Sequence, residues 1–142
     1  MADTFQLELA TPERLFADEQ VSEAELPGKD GYMGVLPGHA PLLSALGAGV
    51  LTYNGPTGRH VLAIDGGFVE IFENHVRVLA DHAELAQDVR VDQARRQLQD
   101  AEQALKNAHD AAESDAALRS MRQAQARLDA ADRVGGGTGT AG

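Results

Sequence analysis

Hydrophobic and polar residues alternate along the first half of the chain and then change to helical spacing. Phe5, Leu7 and Leu9 alternate with Gln6, Glu8 and Ala10, which predicts a strand buried on one face. Val21-Ser22-Glu23-Ala24-Glu25-Leu26 predicts a second strand, ended by Pro27-Gly28. Four more short strands succeed it at residues 50–53, 60–64, 68–72 and 76–79. Asn54-Gly55-Pro56, Asp65-Gly66-Gly67 and Glu73-Asn74-His75 supply the turns between them. Many short strands with Gly-rich turns predict a sandwich or barrel.

The pattern changes beyond Val91. All six aromatics lie before Glu73, and Ala, Gln, Arg, Asp and Glu dominate the last third of the chain. Apart from Asp these are helix formers. Ala94, Leu98, Ala101 and Leu105 step by four, three and four, which predicts a helix from about Val91 to Ala108. Leu118, Met121, Ala124, Leu128 and Ala131 form a second stripe, with Ser114 or Asp115 as its expected N-cap. The polar connection at 107–114 predicts an antiparallel α-helical hairpin. Its stripes are mostly Ala, and small side chains bury little apolar area. The hairpin is therefore expected to be weakly held, as a conformational switch requires. A decorative, fraying tail is the alternative. The expected organisation is a β-sandwich over residues 1–87, the hairpin over 88–133 and a flexible Gly-rich tail over 134–142.

The most distinctive run is Gly31-Tyr32-Met33-Gly34-Val35-Leu36-Pro37-Gly38-His39-Ala40-Pro41-Leu42-Leu43. Its glycines and prolines interrupt any helix or central strand, while its apolar residues demand partial burial. A rigid, shaped loop between short strands is expected, which could equally be a tight corner of a sandwich. The run resembles the G-x-x-G-[IV]-L-P-G-H-A-P-L-L signature of the epsilon subunits of bacterial and chloroplast rotary ATP synthases. Asp65-Gly66-Gly67-Phe68-Val69-Glu70 and Asn74-His75-Val76-Arg77-Val78-Leu79-Ala80-Asp81 resemble two further segments of that family, in the same order.

The resemblance implies a sandwich of two five-stranded sheets with the helical hairpin behind it. It implies a non-catalytic subunit that couples rotation of the c-ring to the catalytic head and restrains ATP hydrolysis when the hairpin extends. The implied partners are the gamma subunit, the c-ring and the alpha/beta head. Tyr32, Met33, Gly34, Pro37, Gly38 and His39 are the implied contact loop for gamma and the c-ring. Arg119, Arg122 and Arg127 are the implied contacts to the head. The implied place is the cytoplasmic face of the bacterial inner membrane, held there by protein partners.

Val91-Asp92-Gln93-Ala94-Arg95 also resembles the [IL]-D-x-x-R-[AR] element with which some epsilon subunits bind ATP. Arg127 matches a basic residue that completes such a site, but Gln123 stands where another Arg would be. The plainer reading of Asp92 and Arg95, a helix N-terminal acid and an exposed cation, is preferred. Regulatory ATP is thus the candidate nucleotide, and no other cofactor and no metal is expected.

Charge and composition narrow the alternatives. The formal net charge is −10, which disfavours nucleic acid. Residues 1–87 hold four basic and thirteen acidic side chains, whereas 88–142 hold eight and nine. The two parts are expected to meet different surfaces. There is no cysteine, so no disulfide or thiol nucleophile. No signal peptide and no apolar run of about 18 residues is evident, so direct membrane insertion is not expected. His39, His60, His75, His82 and His109 lack the spacing of a metal site, and Ser22 and Ser44 lack a nucleophile's context. His39 is expected to bond its own turn or touch a partner. A free-standing sandwich module that binds a small ligand with the Gly34–His39 loop and dimerises through its hairpin is the rival reading; a metal-dependent enzyme is the weaker one.

Overall fold

In a computed structural model of the chain, residues 3–141 are described, their side chains as far as Val134. Eight strands come first: Phe5–Ala10 (β1), Leu15–Val21 (β2), Glu23–Gly28 (β3), Gly31–Val35 (β4), Leu42–Ala45 (β5), Ala48–Gly55 (β6), Gly58–Phe72 (β7) and His75–Leu85 (β8). A single 3₁₀ turn, Ala86–Asp88, leads to helices Val91–Lys106 (α1) and Ala111–Ala141 (α2). The expected β-sandwich and helical hairpin are both present.

The strands form one hydrogen-bonded ladder in the order β2-β1-β8-β7-β6-β3-β4, with β5 also on β7. β1 runs parallel to β8, so the sheet is mixed. Strands β7 and β8 are long enough to serve both layers. The 68–72 part of β7 pairs with β5 and with the start of β8, while its 58–65 part pairs with β6 and the end of β8. The layers are therefore β2-β1-β8-β7-β5 and β8-β7-β6-β3-β4, five positions each built from eight strands. Phe5, Leu7, Leu9, Leu51, Leu62, Ile64, Val69, Ile71, Val76 and Val78 fill the space between them.

Asp65-Gly66-Gly67 is not the turn expected from sequence but a bend inside β7. Gly67 has φ of +115°, and a Cβ there would lie 2.1 Å from the Leu79 carbonyl oxygen. Only glycine lets the strand swing from one layer to the other at this approach. Strand β4 likewise replaces the first part of the expected loop. As an edge strand it bonds only β3, which tolerates its glycines. Strand β2 leaves little alternating trace in the sequence because its outward side carries Asp18 and Gln20 while only Ala17 and Val21 turn fully inward.

Helix α2 lies on the outer face of β6 and β7 and on the 3₁₀ turn, and α1 packs on α2. Its N-cap is Asp110 rather than Ser114 or Asp115. The Asp110 Oδ1 accepts the Glu113 N–H at 2.8 Å, and Glu113 Oε2 accepts the His109 N–H at 2.7 Å. These two bonds, with the Asp110 carbonyl accepting the Ser114 N–H, start the helix earlier than the apolar stripe indicates. Among the described residues of α2, Ala117, Ala124, Ala126 and Ala130 are buried. The expectation of a flexible tail at 134–142 concerns residues that, past Val134, lie outside those whose side chains are described.

Candidate functional site

The two outer faces of the sandwich differ. On the β6–β7 side, Val50, Val61, Ala63 and Ala86 meet Ala130 of α2, so the chain covers this face with its own hairpin. The opposite face is left bare by the described residues. Register sets Phe68 beside Leu79, Phe72 beside His75, and Leu43 beside Glu70. Leu43 is 71% exposed and Phe68 60%, with Phe72 and Leu79 also more than half exposed. Four large apolar side chains gathered on one face mark an interaction surface, since burying such area is worth ~25 cal/mol per Å². Charges sit beside them: Arg77 Nε donates to Glu8 Oε2 at 3.0 Å, and His75 Nε2 lies 3.5 Å from Glu8 Oε1. A polar band of Gln6, Asp18 and Gln20 closes that side.

The sequence does carry a signal for this face. Phe68-Val69-Glu70-Ile71-Phe72 is apolar at both phases of the alternation, the mark of a strand covered on both sides. Val69 and Ile71 are buried within the chain, whereas Phe68 and Phe72 are left without cover from the described residues.

The residues from Leu36 to Pro41 cross between layers at the end of the sandwich that also holds the β7–β8 turn. Gly38, with φ of +83°, donates its N–H to Asn74 Oδ1 at 2.9 Å. Asn74 in turn donates from Nδ2 to the Thr4 carbonyl at 2.6 Å. The His39 N–H bonds the Leu36 carbonyl at 3.2 Å, and its Nδ1 lies 2.7 Å from the Ala40 carbonyl oxygen. His39 thus bonds its own turn, and Leu36 stands exposed at the tip. The expected contact loop is divided. Pro37, Gly38 and His39 share the tip, but Met33 packs inward on the core from β4. Tyr32 lies further up that strand, its hydroxyl accepting the Val50 N–H at 2.9 Å, with Gly34 exposed between Met33 and Val35.

The third site joins hairpin to sandwich. Arg127 donates from Nε to Glu84 Oε1 at 2.8 Å and from a terminal nitrogen to Glu84 Oε2 at 3.3 Å. Its other bonds reach Gln97 Oε1 at 3.1 Å and Gln93 Oε1 at 3.2 Å, both on α1. Gln97 passes the chain back to α2 by donating to Gln123 Oε1 at 2.9 Å. The Arg127 side chain is 15% exposed. A cleft of about 330 Å³ adjoins it, lined also by Asp65 and His82. Further along α2, Arg133 approaches Glu25 at 3.8 Å. Asp92 and Arg95 are exposed, and Arg95 lines a separate depression with Asp129 and Asp132. The structure therefore does not bring Arg95 and Arg127 together. Arg119 and Arg122 are exposed on α2.

Among the described residues there is no group of three acidic, His or Cys side chains placed to hold a metal. No described helix is long and apolar enough to cross a membrane.

Residues 4–86 match the family model of the ATP synthase Delta/Epsilon chain beta-sandwich domain. The chain is 46% identical over 134 residues to the ATP synthase epsilon chain of Solibacter usitatus, covering 94% of this chain and 99% of that one. It is 40% identical to the epsilon chain of Rhodospirillum rubrum, covering 92% and 98%. The fold is similar to that of a chain in the cryo-EM structure of the Euglena gracilis mitochondrial ATP synthase (OSCP/F1/c-ring). The TM-score is 0.81 at 21% identity, covering 92% of this chain and 82% of that one.

Proposed function

Because the chain belongs to the ATP synthase delta/epsilon family, we propose that it is the central-stalk epsilon subunit of a rotary ATP synthase, performing no chemistry of its own. Its sandwich docks on the gamma subunit through the Leu43, Phe68, Phe72 and Leu79 face. The Leu36–His39 tip rests on the c-ring, so that rotation of the ring is passed to the stalk. The hairpin, when it leaves the sandwich, extends towards the alpha/beta head and restrains hydrolysis. The subunit sits at the cytoplasmic face of the bacterial inner membrane, held by these partners.

The observation that carries this reading is the asymmetry of the two outer faces. A sandwich that covers one face with its own helices and leaves four large apolar residues bare on the other is built to dock there. The apolar part of the covered face is held weakly. Each buried Ala methyl contributes less than ~1 kcal/mol, and an exposed pair such as Arg133–Glu25 adds only ~0–1 kcal/mol. Release of the hairpin is therefore within reach of a competing partner. The rival reading, dimerisation through the hairpin, requires apolar helix surface that α2 already spends on α1 and the sandwich.

The test is binding of the full chain to purified gamma subunit. Phe68→Asp together with Leu79→Asp is expected to abolish the complex while the circular dichroism of the chain is retained. Unchanged affinity would reject docking through this face, and a homodimer with no gamma complex would favour the rival.

A further inference from the structure

We propose that Arg127 couples two separate acts, docking of the hairpin on the sandwich and closure of α1 on α2, into a single all-or-none switch. The inference rests on the reading of the hairpin as the mobile part of the subunit. One guanidinium carries both connections. On one side its Nε and a terminal nitrogen meet the two oxygens of Glu84 on β8. On the other it reaches Gln97 and Gln93 on α1. Gln97 extends the chain by bonding Gln123 at 2.9 Å and approaching the Ser120 carbonyl and hydroxyl at 3.4 Å, which returns the network to α2. Three elements thus meet at one side chain.

The apolar contacts around it do not provide this coupling. The seam between α2 and the sandwich rests on Ala130 against Val50, Ala63 and Ala86, and α1 buries only Ala94 and Ala101 fully. Methyl contacts of this kind are non-directional and allow either interface to slide or open alone. A bidentate guanidinium–carboxylate pair has one geometry, and the arm to Gln97 fixes α1 in the same frame. The largely buried Arg127 also makes a half-open state costly. Leaving the guanidinium without Glu84 but still covered by α1 strands a charge in partial burial, so loss of docking favours opening of the hairpin as well. The switch therefore has two populated states, docked and closed or undocked and open, with no stable intermediate.

Native-state amide hydrogen exchange on the isolated full chain tests this, because it needs no other subunit. Glu84→Ala removes the docking arm, and Gln97→Ala removes most of the closure arm, leaving only the bond to Gln93. Each is expected to speed exchange of Ala94 and Ala101 in α1 and of Ala124 and Ala130 in α2 by a common factor, about tenfold or more for Glu84→Ala, as loss of a charge-assisted bond implies. Val69 and Val78 in the sandwich are expected to keep their rates. Glu84→Gln, which preserves shape, is expected to give the same pattern at smaller amplitude, and Arg119→Ala none. Acceleration of α2 alone in Glu84→Ala, or of α1 alone in Gln97→Ala, would overturn the coupling, as would less than a twofold change in either. Should the chain fail to bind the stalk while both helices respond together, the functional reading falls and the coupling stands.

Discussion

The Arg127 guanidinium lies against the Glu84 carboxylate with both oxygens engaged, at 2.8 and 3.3 Å, so α2 is tied to the end of β8 across 43 residues of sequence. Glu84 stands on the outward side of β8, opposite Ala63 of β7, and looks in isolation like an ordinary surface acid. Its partner is supplied only when the hairpin folds back.

One consequence concerns nucleotide. Arg127 already bonds through all three of its nitrogens, the adjoining cleft is lined by Asp65 and Glu84, and Arg95 faces a different depression. Millimolar ATP is expected to leave the melting temperature of the isolated chain unchanged. A ligand at a hundredfold excess over its Kd would add about 2.7 kcal/mol of stability, which a melting curve readily detects. A rise abolished by Arg95→Ala would show that the Asp92–Arg95 element binds it.

A second prediction concerns the tip. A Cβ at Gly38 would meet no atom within 4 Å, so the position has room for a larger residue, though the +83° φ adds strain of the order of 1 kcal/mol. Gly38→Trp is expected to leave the chain folded and to reduce ATP-driven proton pumping in membranes severalfold at unchanged ATP hydrolysis. Full coupling in that variant would remove the tip from the contact with the c-ring.

The third prediction concerns the brake. Arg119 and Arg122 are exposed in the docked hairpin, whereas Arg127 is occupied. Each exposed charge pair made with the catalytic head is worth about 0.2–1 kcal/mol. Replacing Arg119 and Arg122 together by Ala is expected to raise ATP hydrolysis of the assembled enzyme severalfold, with little effect from either alone. Synthesis rates measured in the same membranes should stay near wild type, since the sandwich still joins ring and stalk.

The fourth concerns alkaline stability. Burial, with Glu19 adding charge repulsion and a hydrogen bond, pushes the Tyr53 hydroxyl from 10.0 up to about 12. Between these values the unfolded chain has lost the proton and the folded chain keeps it, so stability falls as pH rises through that window. Below pH 10 this contribution is fully present. Tyr53→Phe is expected to flatten the loss between pH 10 and 12 in urea melts, without altering the slope seen at lower pH. An identical slope in wild type and variant would place the Tyr53 hydroxyl in a more solvated setting.

Both helices and most of the strands were legible in the order of residues alone, because burial of alternate residues and of every third or fourth residue leaves a periodic trace; β2, β4 and β5 left little. Phe5, Leu7 and Leu9 all turn inward as their alternation requires, and Ala94 and Ala101 are both buried on α1. The short-range turn chemistry was legible too, except where it served a longer purpose. Gly66-Gly67 reads as a turn in one dimension, yet it is the bend that lets β7 belong to both layers, a role set by the Leu79 backbone beside it. The functional surfaces came only from the packing of distant segments. Phe68 and Leu79 lie 11 residues apart and become one patch only through the β7–β8 register. Glu84, Gln97 and Arg127 come from three elements, and no local pattern links them. Periodicity records whether a residue is buried, but which distant residue it meets depends on how whole faces pack, and that is fixed only when the chain closes.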